Sequence, residues 1–175
     1  AASDVYKRQF IKTELCRTIL ENYEMPDVVA GVATGAIAQG ALVADMLGVP
    51  YIYVRSTPKD HGLENLIEGD LHPGQKVMVI EDLISTGKSS LKAVDAIRMA
   101  GADVIGMVAM FTYGFPVAEE SFAEAGVKLM TLSNYEALLQ VALKTGFIAQ
   151  EDVATLQEWR KDPQHWAPHR DTTIE

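Results

Sequence analysis

Two rhythms of apolar and polar positions alternate along the chain. Short, continuous apolar runs of four to eight residues have the length and composition of strands buried on both faces. Longer stretches with apolar residues every three or four positions have the period of helices packed on one side. Residues 10–23 carry Phe10/Ile11, Leu15, Ile19 and Tyr23 at helical spacing, and Pro26 ends that helix. A strand is predicted at 27–30 and a tight turn at 31–35. An Ala-, Leu- and Val-rich helix follows over 36–47, closed by Gly48-Val49-Pro50. Residues 51–54 read as the next strand. Further strands are predicted at 77–80, 104–111 and 128–132. Helices fall at 91–98, 119–125, 135–144 (with Asn134 as cap and Gly146 as stop) and 151–159, before Pro163. Residues 1–9 show little pattern, and 163–175 are a polar tail. Strand and helix in alternation predict an α/β fold, a mostly parallel central sheet with helices on both faces, whose ligands bind at the carboxyl ends of the strands.

Three of those strand ends carry suggestive chemistry. The strand at 77–80 runs into Glu81-Asp82-Leu83-Ile84-Ser85-Thr86-Gly87-Lys88-Ser89-Ser90. A strand, a small hydroxyl-rich turn and a helix N-terminus make an anion site. The turn's N–H groups point at the ligand, and the helix dipole favours negative charge. Glu81 and Asp82 would repel a bare phosphate, so they are expected to face sugar hydroxyls or a metal riding on the ligand. The stretch therefore suggests a sugar phosphate. Gly87-Lys88-Ser89 looks like the end of a Walker A loop, but that motif needs a glycine where this chain has Asp82. An ordinary strand-to-helix turn is the plainer alternative, and paired acids followed by five small or hydroxyl residues are unusual for one.

The second end, Gly31-Val32-Ala33-Thr34-Gly35, is a Gly-rich turn and weak evidence alone. The third opens a polar connection over 55–74 with two prolines and three glycines. Its length is that of a lid or binding loop. It supplies the cations the central turn lacks. Arg55 can fork onto phosphate oxygens, Lys59 is a point charge, and His61 can donate a hydrogen bond or a proton near neutrality.

Composition narrows the class. The chain's 175 residues suggest one domain with a proper core, taken here as 10–162. Apolar content of 48 % and charged content of 22 % are ordinary for a soluble protein. No run approaches a membrane span, and the N-terminus has no signal-peptide pattern. The single cysteine, Cys16, excludes an internal disulfide framework and fits a reducing cytoplasm. A net charge of −9 argues against broad nucleic-acid binding.

The three strand ends together resemble the type I phosphoribosyltransferases, and the Arg55 loop narrows the likeness to the orotate phosphoribosyltransferases. The apolar strand, two acids, two apolar residues and Ser-Thr-Gly turn at 77–87 resemble that family's binding motif for 5-phosphoribosyl 1-pyrophosphate (PRPP). The resemblance implies that Glu81 and Asp82 orient the ribose while Leu83, Ile84, Ser85, Thr86, Gly87, Lys88 and Ser89 surround its 5′-phosphate, and that Ser85 also touches orotate. Arg55, Lys59 and the run Lys59-Asp60-His61-Gly62 match the family's flexible lid. This implies that Arg55, Lys59 and His61 act catalytically on the leaving pyrophosphate. Many relatives have a second lysine where this chain has Ser56. Ala33, Thr34 and Gly35 match the pyrophosphate loop, whose non-proline cis peptide falls at Ala33-Thr34. Phe111-Thr112-Tyr113-Gly114 resembles one branch of the orotate enzymes, and the arginine that other branches use for orotate is not evident.

Implied with these are the type I phosphoribosyltransferase (Rossmann-like) fold and Mg²⁺-dependent pentosyl transfer from PRPP to orotate in pyrimidine synthesis. So are Mg²⁺ held mainly through PRPP oxygens and water with no direct protein ligand, a cytoplasmic homodimer sharing its lids, and no nucleic-acid or membrane partner. Relatives carry an N-terminal hood over the pyrimidine. This chain shows no counterpart, so a truncated chain with a foreign or disordered segment at 1–9 is expected. The competing readings are a purine phosphoribosyltransferase, a PRPP-binding regulator without catalysis, and an inactive fragment that still binds PRPP.

Overall fold

The computed structural model describes residues 4–57, 66–163 and 165–166. The chain forms two compact units, one up to Asn134 and one from Tyr135 on. The first unit contains α1 (Val5–Asn22), β1 (Val28–Val32), α2 (Ile37–Leu47), β2 (Tyr51–Val54), β3 (Ile67–Glu68), β4 (Lys76–Ile84), α3 (Lys88–Met99), β5 (Asp103–Thr112), α4 (Pro116–Glu124) and β6 (Leu129–Asn134). Its six strands form one sheet in the order β3-β2-β1-β4-β5-β6. Every neighbouring pair is parallel except β2–β3, so the expected mostly parallel α/β sheet is what forms. Strand order reverses between β1 and β4, and the crevice outside their carboxyl ends is where such sheets bind ligands.

Alternation along the strands divides the core. Val28, Ala30, Val77 and Val79 face one side with Ala93, Val94 and Ile97 of α3 and Phe122 of α4. Val29, Met78 and Ile80 face the other with Leu15 and Ile19 of α1 and Val43 of α2. Burying each of the larger of these side chains contributes about 1.5–3 kcal/mol. This two-sided burial is why β1 and β4 read as unbroken apolar runs and not as alternating ones.

Several boundaries differ from the sequence expectation. Residues 5–9, read as patternless, form the first turns of α1, where the Asp4 carboxylate accepts the Lys7 N–H at 3.0 Å. Val5, Tyr6 and Phe10 are exposed there, so the amphipathic signal that marks the rest of the helix is absent. β1 runs on through Gly31-Val32, into the expected turn, because both residues pair with β2. β4 continues past Ile80 to Ile84, because Leu83 and Ile84 still pair with Phe111 and Thr112 of β5. The two acids therefore lie inside the strand and not after it. The short edge strand β3 lies in the connection read as a loop, and two residues are too few to show a period. α4 starts at Pro116, which fits a first helical position because its missing N–H would be unpaired there anyway. Asn134, expected to cap α5, is the last residue of β6, in register with Thr112, and directly precedes α5.

The second unit contains α5 (Tyr135–Lys144) and α6 (Gln150–Lys161). The Tyr135 hydroxyl donates to the Leu156 carbonyl at 3.3 Å, and the Tyr135 and Trp159 rings lie 5.5 Å apart. Among the described residues no helix is long and apolar enough to cross a membrane.

Candidate functional site

Two strand-to-helix turns meet at the carboxyl ends of β1 and β4. The β1–α2 turn is fixed largely by its backbone. Ala33 N–H donates to Val54 of β2 at 2.8 Å, Ala36 N–H donates to Val32 at 3.1 Å, and the Ala33–Thr34 peptide is cis, at the position the resemblance assigns. The Tyr51 hydroxyl, donating to the Ile37 carbonyl at 2.8 Å, ties the start of α2 to β2. Gly35 has no Cβ where one would overlap the Asp82 carboxylate. That close approach is what joins the turn to β4.

The β4–α3 turn is fixed by its neighbours. Tyr113 N–H donates to the Ile84 carbonyl at 3.0 Å, and the Thr112 hydroxyl reaches the same carbonyl at 3.4 Å. Gly87 caps α3 with φ of 79° and no side-chain cap, so no capping side chain competes for the first-turn N–H groups of α3. Phe122 of α4 packs directly against Gly87: a Cβ there would sit 2.8 Å from its ring.

The turns enclose a cavity of about 300 Å³ lined by Val32, Ala33, Thr34, Gly35, Glu81, Asp82, Leu83, Ser85, Thr86, Gly87, Ser89 and Ser90. Most of the described sequence-predicted site residues meet here. Ile84, Lys88 and Arg55 do not. The Ile84 side chain is fully buried in the core, leaving only its backbone at the turn. Lys88 lines a neighbouring cavity of about 690 Å³ with Arg55, Ser56, Leu66 and Lys92. The two cavities share Val32, Ala33, Thr86 and Ser89, so Arg55 stands one wall away from the turns. Its guanidinium lies 3.4 Å from the Glu68 carboxylate on β3. Lys59 and His61 lie outside the described residues. Lys92 was not singled out from the sequence; the available signal was its place one helical turn after Lys88.

The adjacent acids have unlike surroundings. Glu81 is only 4 % exposed. Its Oε2 accepts the Ser90 hydroxyl at 2.8 Å, and its Oε1 accepts the Asp82 N–H at 2.9 Å. Burial pushes its carboxyl up to about 8. The Asp82 side chain adds to that rise by hydrogen bonding and charge, and the Ser90 hydroxyl and the Asp82 N–H oppose it. Asp82 is half-buried and faces Gly35. Chemically, the cavity offers hydroxyl and helix-end N–H donors to an anion and carboxylate oxygens to hydroxyl groups.

A model of the phosphoribosyl transferase domain matches residues 7–144. The chain is 69 % identical over 159 residues to the orotate phosphoribosyltransferase of Bacteroides fragilis, covering 91 % of this chain and 75 % of that one. It is 61 % identical to that of Porphyromonas gingivalis, over 91 % of this chain and 76 % of that one. The fold superposes on a crystal structure of orotate phosphoribosyltransferase from Mycobacterium tuberculosis H37Rv with a TM-score of 0.67 at 29 % identity, covering 79 % of this chain and 78 % of that one.

Proposed function

Because this chain belongs to the phosphoribosyltransferase family, and within it to the orotate phosphoribosyltransferases, we propose that it transfers the ribose 5-phosphate of PRPP to orotate, releasing pyrophosphate and giving orotidine 5′-monophosphate. The observation that carries the reading is the paired turn. An uncapped helix N-terminus with Ser85, Thr86 and Ser89 stands across one cavity from the cis Ala33–Thr34 loop, with Asp82 between them. The 5′-phosphate sits in the turn over residues 85–89, and the ribose hydroxyls sit at the acids. The pyrophosphate lies against the backbone of Ala33, Thr34 and Gly35 on the side of Arg55. Ser85 faces orotate.

Transfer forms a bond from an orotate ring nitrogen, which gives up its proton, to the anomeric carbon and breaks that carbon's bond to pyrophosphate, which departs with the bonding electrons. Positive charge develops on the ribose ring and negative charge on the leaving group. Arg55, Lys59 and His61 stabilise the leaving charge, and fixed cations in a closed site do this without solvent reorganisation. The acids orient the sugar and do not act as an acid/base pair. Among the described residues no three His, Cys, Asp or Glu side chains come together to hold a metal. Mg²⁺ binds through one or two carboxylates with substrate phosphates and water, and the exposed edge of Asp82 fits that mode. Bound there with PRPP, Mg²⁺ would neutralise charge on the pyrophosphate.

The direct test mixes the protein with orotate, PRPP and Mg²⁺ and follows orotate absorbance. Orotate consumption that stops with EDTA is expected; turnover of hypoxanthine but not orotate overturns the assignment. The shared-lid homodimer is checked by mixing two inactive variants, Lys59→Ala and Asp82→Asn. If one subunit's lid serves the other's cavity, the mixture regains activity that neither variant has alone. A mixture as inactive as its components removes the sharing.

A further inference from the structure

One face of α3 carries a pattern that the phosphate turn does not use. Lys88, Lys92, Asp95, Ala96 and Met99 recur at three- and four-residue steps, so they form a single stripe along the helix. All five line the cavity of about 690 Å³. Leu66, Ala93 and Ala96 in its wall are buried members of the hydrophobic core. The cavity therefore joins an apolar wall to a charged edge. From Lys88 to Met99 the stripe spans about 16 Å.

The two lysines are placed where they weaken their own helix. Lys88 is the first residue of α3, where the dipole disfavours a cation, and no acidic residue stands in that turn. Lys92 follows four residues later, and like charges at that spacing destabilise a helix. Among the described residues neither lysine makes a hydrogen bond or an ion pair. Arg55 also lines the cavity, but its guanidinium is engaged by Glu68. In a chain of net charge −9, two unneutralised cations one turn apart are a local exception, and an anionic partner would offset both unfavourable placements.

We propose that this cavity is a second ligand site, for a nucleoside 5′-monophosphate whose base carries an amino group. The phosphate sits between the ammonium groups of Lys88 and Lys92, and the base lies against Leu66, Ala93 and Ala96 toward Met99. The backbone of Lys88 belongs to the phosphate turn and its side chain to this site. Asp95 narrows the ligand. It stands one turn beyond Lys92, where it would repel a second phosphate and would be a poor neighbour for a hydrocarbon tail. A base has apolar faces for the buried wall and an N–H edge that a carboxylate can accept. The volume lies within the range of about 300–1,000 Å³ usual for small-molecule sites. The two cavities share Val32, Ala33, Thr86 and Ser89. Anions in both would face each other across the turn over residues 86–89, so filling either weakens binding in the other, by the same factor in each direction. The ligand assignment stands without the transferase reading; the coupling to PRPP rests on it.

Binding of adenosine 5′-monophosphate (AMP) to the whole protein is measured calorimetrically without PRPP. One AMP per chain is expected. Adenosine and inorganic phosphate should each bind at least about tenfold more weakly, because each lacks one half of the contacts. Lys92→Glu, an exposed position, should weaken AMP at least about tenfold while the melting temperature holds and PRPP binds within about threefold of the unsubstituted chain. Asp82→Asn should do the reverse, weakening PRPP and keeping AMP within about threefold. Asp95→Ala should weaken AMP about three- to tenfold through loss of the base contact. PRPP is then titrated at rising AMP concentrations. Its apparent Kd should rise and level off at about five- to twentyfold. An apparent Kd that climbs without limit means that AMP occupies the substrate cavity, and AMP binding indifferent to Lys92→Glu means that the lysines do not hold the phosphate; either overturns the proposal. PRPP binding with no AMP binding overturns it and leaves the functional reading in place. AMP binding that Lys92→Glu removes, in a protein that binds no PRPP, supports the site while the functional reading fails.

Discussion

The β1–α2 and β4–α3 turns do the same geometric task, leading a parallel strand into a helix at one edge of the sheet, and they are held in opposite ways. The first is set by what it lacks: Gly35 meets Asp82 where a side chain would collide, and no charged group stands among Ala33, Thr34 and Gly35. The second is set by what surrounds it. Ile84 takes bonds from Thr112 and Tyr113, Gly87 lies under Phe122, and Glu81 holds Ser90. A turn shaped by absence has no slack, because every added atom meets backbone or a functional carboxylate. A turn shaped by several supports can lose one and keep its course. The difference predicts unequal tolerance to substitution on the two sides of a single cavity.

The largest effect should come from Gly35→Val. Its side chain enters the space of the Asp82 carboxylate, so either the turn or the acid must move. A misplacement of about 1 Å in a positioned site costs on the order of a hundredfold in turnover. Activity should fall by at least that much and PRPP affinity with it, while circular dichroism keeps its α/β signature because neither core cluster is touched. Activity within about threefold of the unsubstituted protein would show that the two turns are not in register through Gly35.

Legibility in the sequence followed the same division. The β4–α3 turn was readable because its work is done by side chains: two acids, three hydroxyls and a glycine stand together at 81–89. The apolar runs at 28–32, 77–80 and 104–111 pointed to the parallel sheet because burial on both faces leaves no polar position within them. The β1–α2 turn was not legible by itself, since backbone geometry leaves only glycines as its trace, and it gained meaning from resemblance to a family. What escaped altogether were pairings across distance in the chain. Glu81 with Ser90 and Gly87 with Phe122 depend on which face of β4 each residue takes and on where α4 docks, and no local period encodes either. The start of α1 at Val5 escaped for a different reason, the exposure of its apolar residues.

A smaller effect is expected at Gly87, where the comparison can be sharpened. Alanine there must hold φ near 79° and meet the Phe122 ring. The left-handed conformation alone costs about 1–2 kcal/mol, which for a chain of this length lowers Tm by roughly 2–8 °C. The turn's other supports should keep turnover within about tenfold. Pairing Gly87→Ala with Phe122→Leu should return part of the catalytic loss but not the stability, since the smaller side chain makes room for the Cβ and opens the core. A Gly87→Ala variant that loses as much activity as Gly35→Val would erase the distinction between the turns.

The smallest effect is expected at Ser89, one of three hydroxyls offered by the second turn. It lines both cavities and is exposed, so removing its hydroxyl deprives the phosphate of one donor and leaves the core as it was. Helix N–H groups and the hydroxyls of Ser85 and Thr86 remain. A single hydrogen bond to a charged group contributes about 1.5–3 kcal/mol when nothing replaces it, and less where water can enter. Ser89→Ala should raise KM for PRPP by about three- to tenfold, with kcat and melting temperature unchanged. The split matters more than its size. A fall in kcat at constant KM would mean that Ser89 acts on the transition state, across the shared wall toward Arg55, and that the phosphate turn and the cationic side of the site work as one unit.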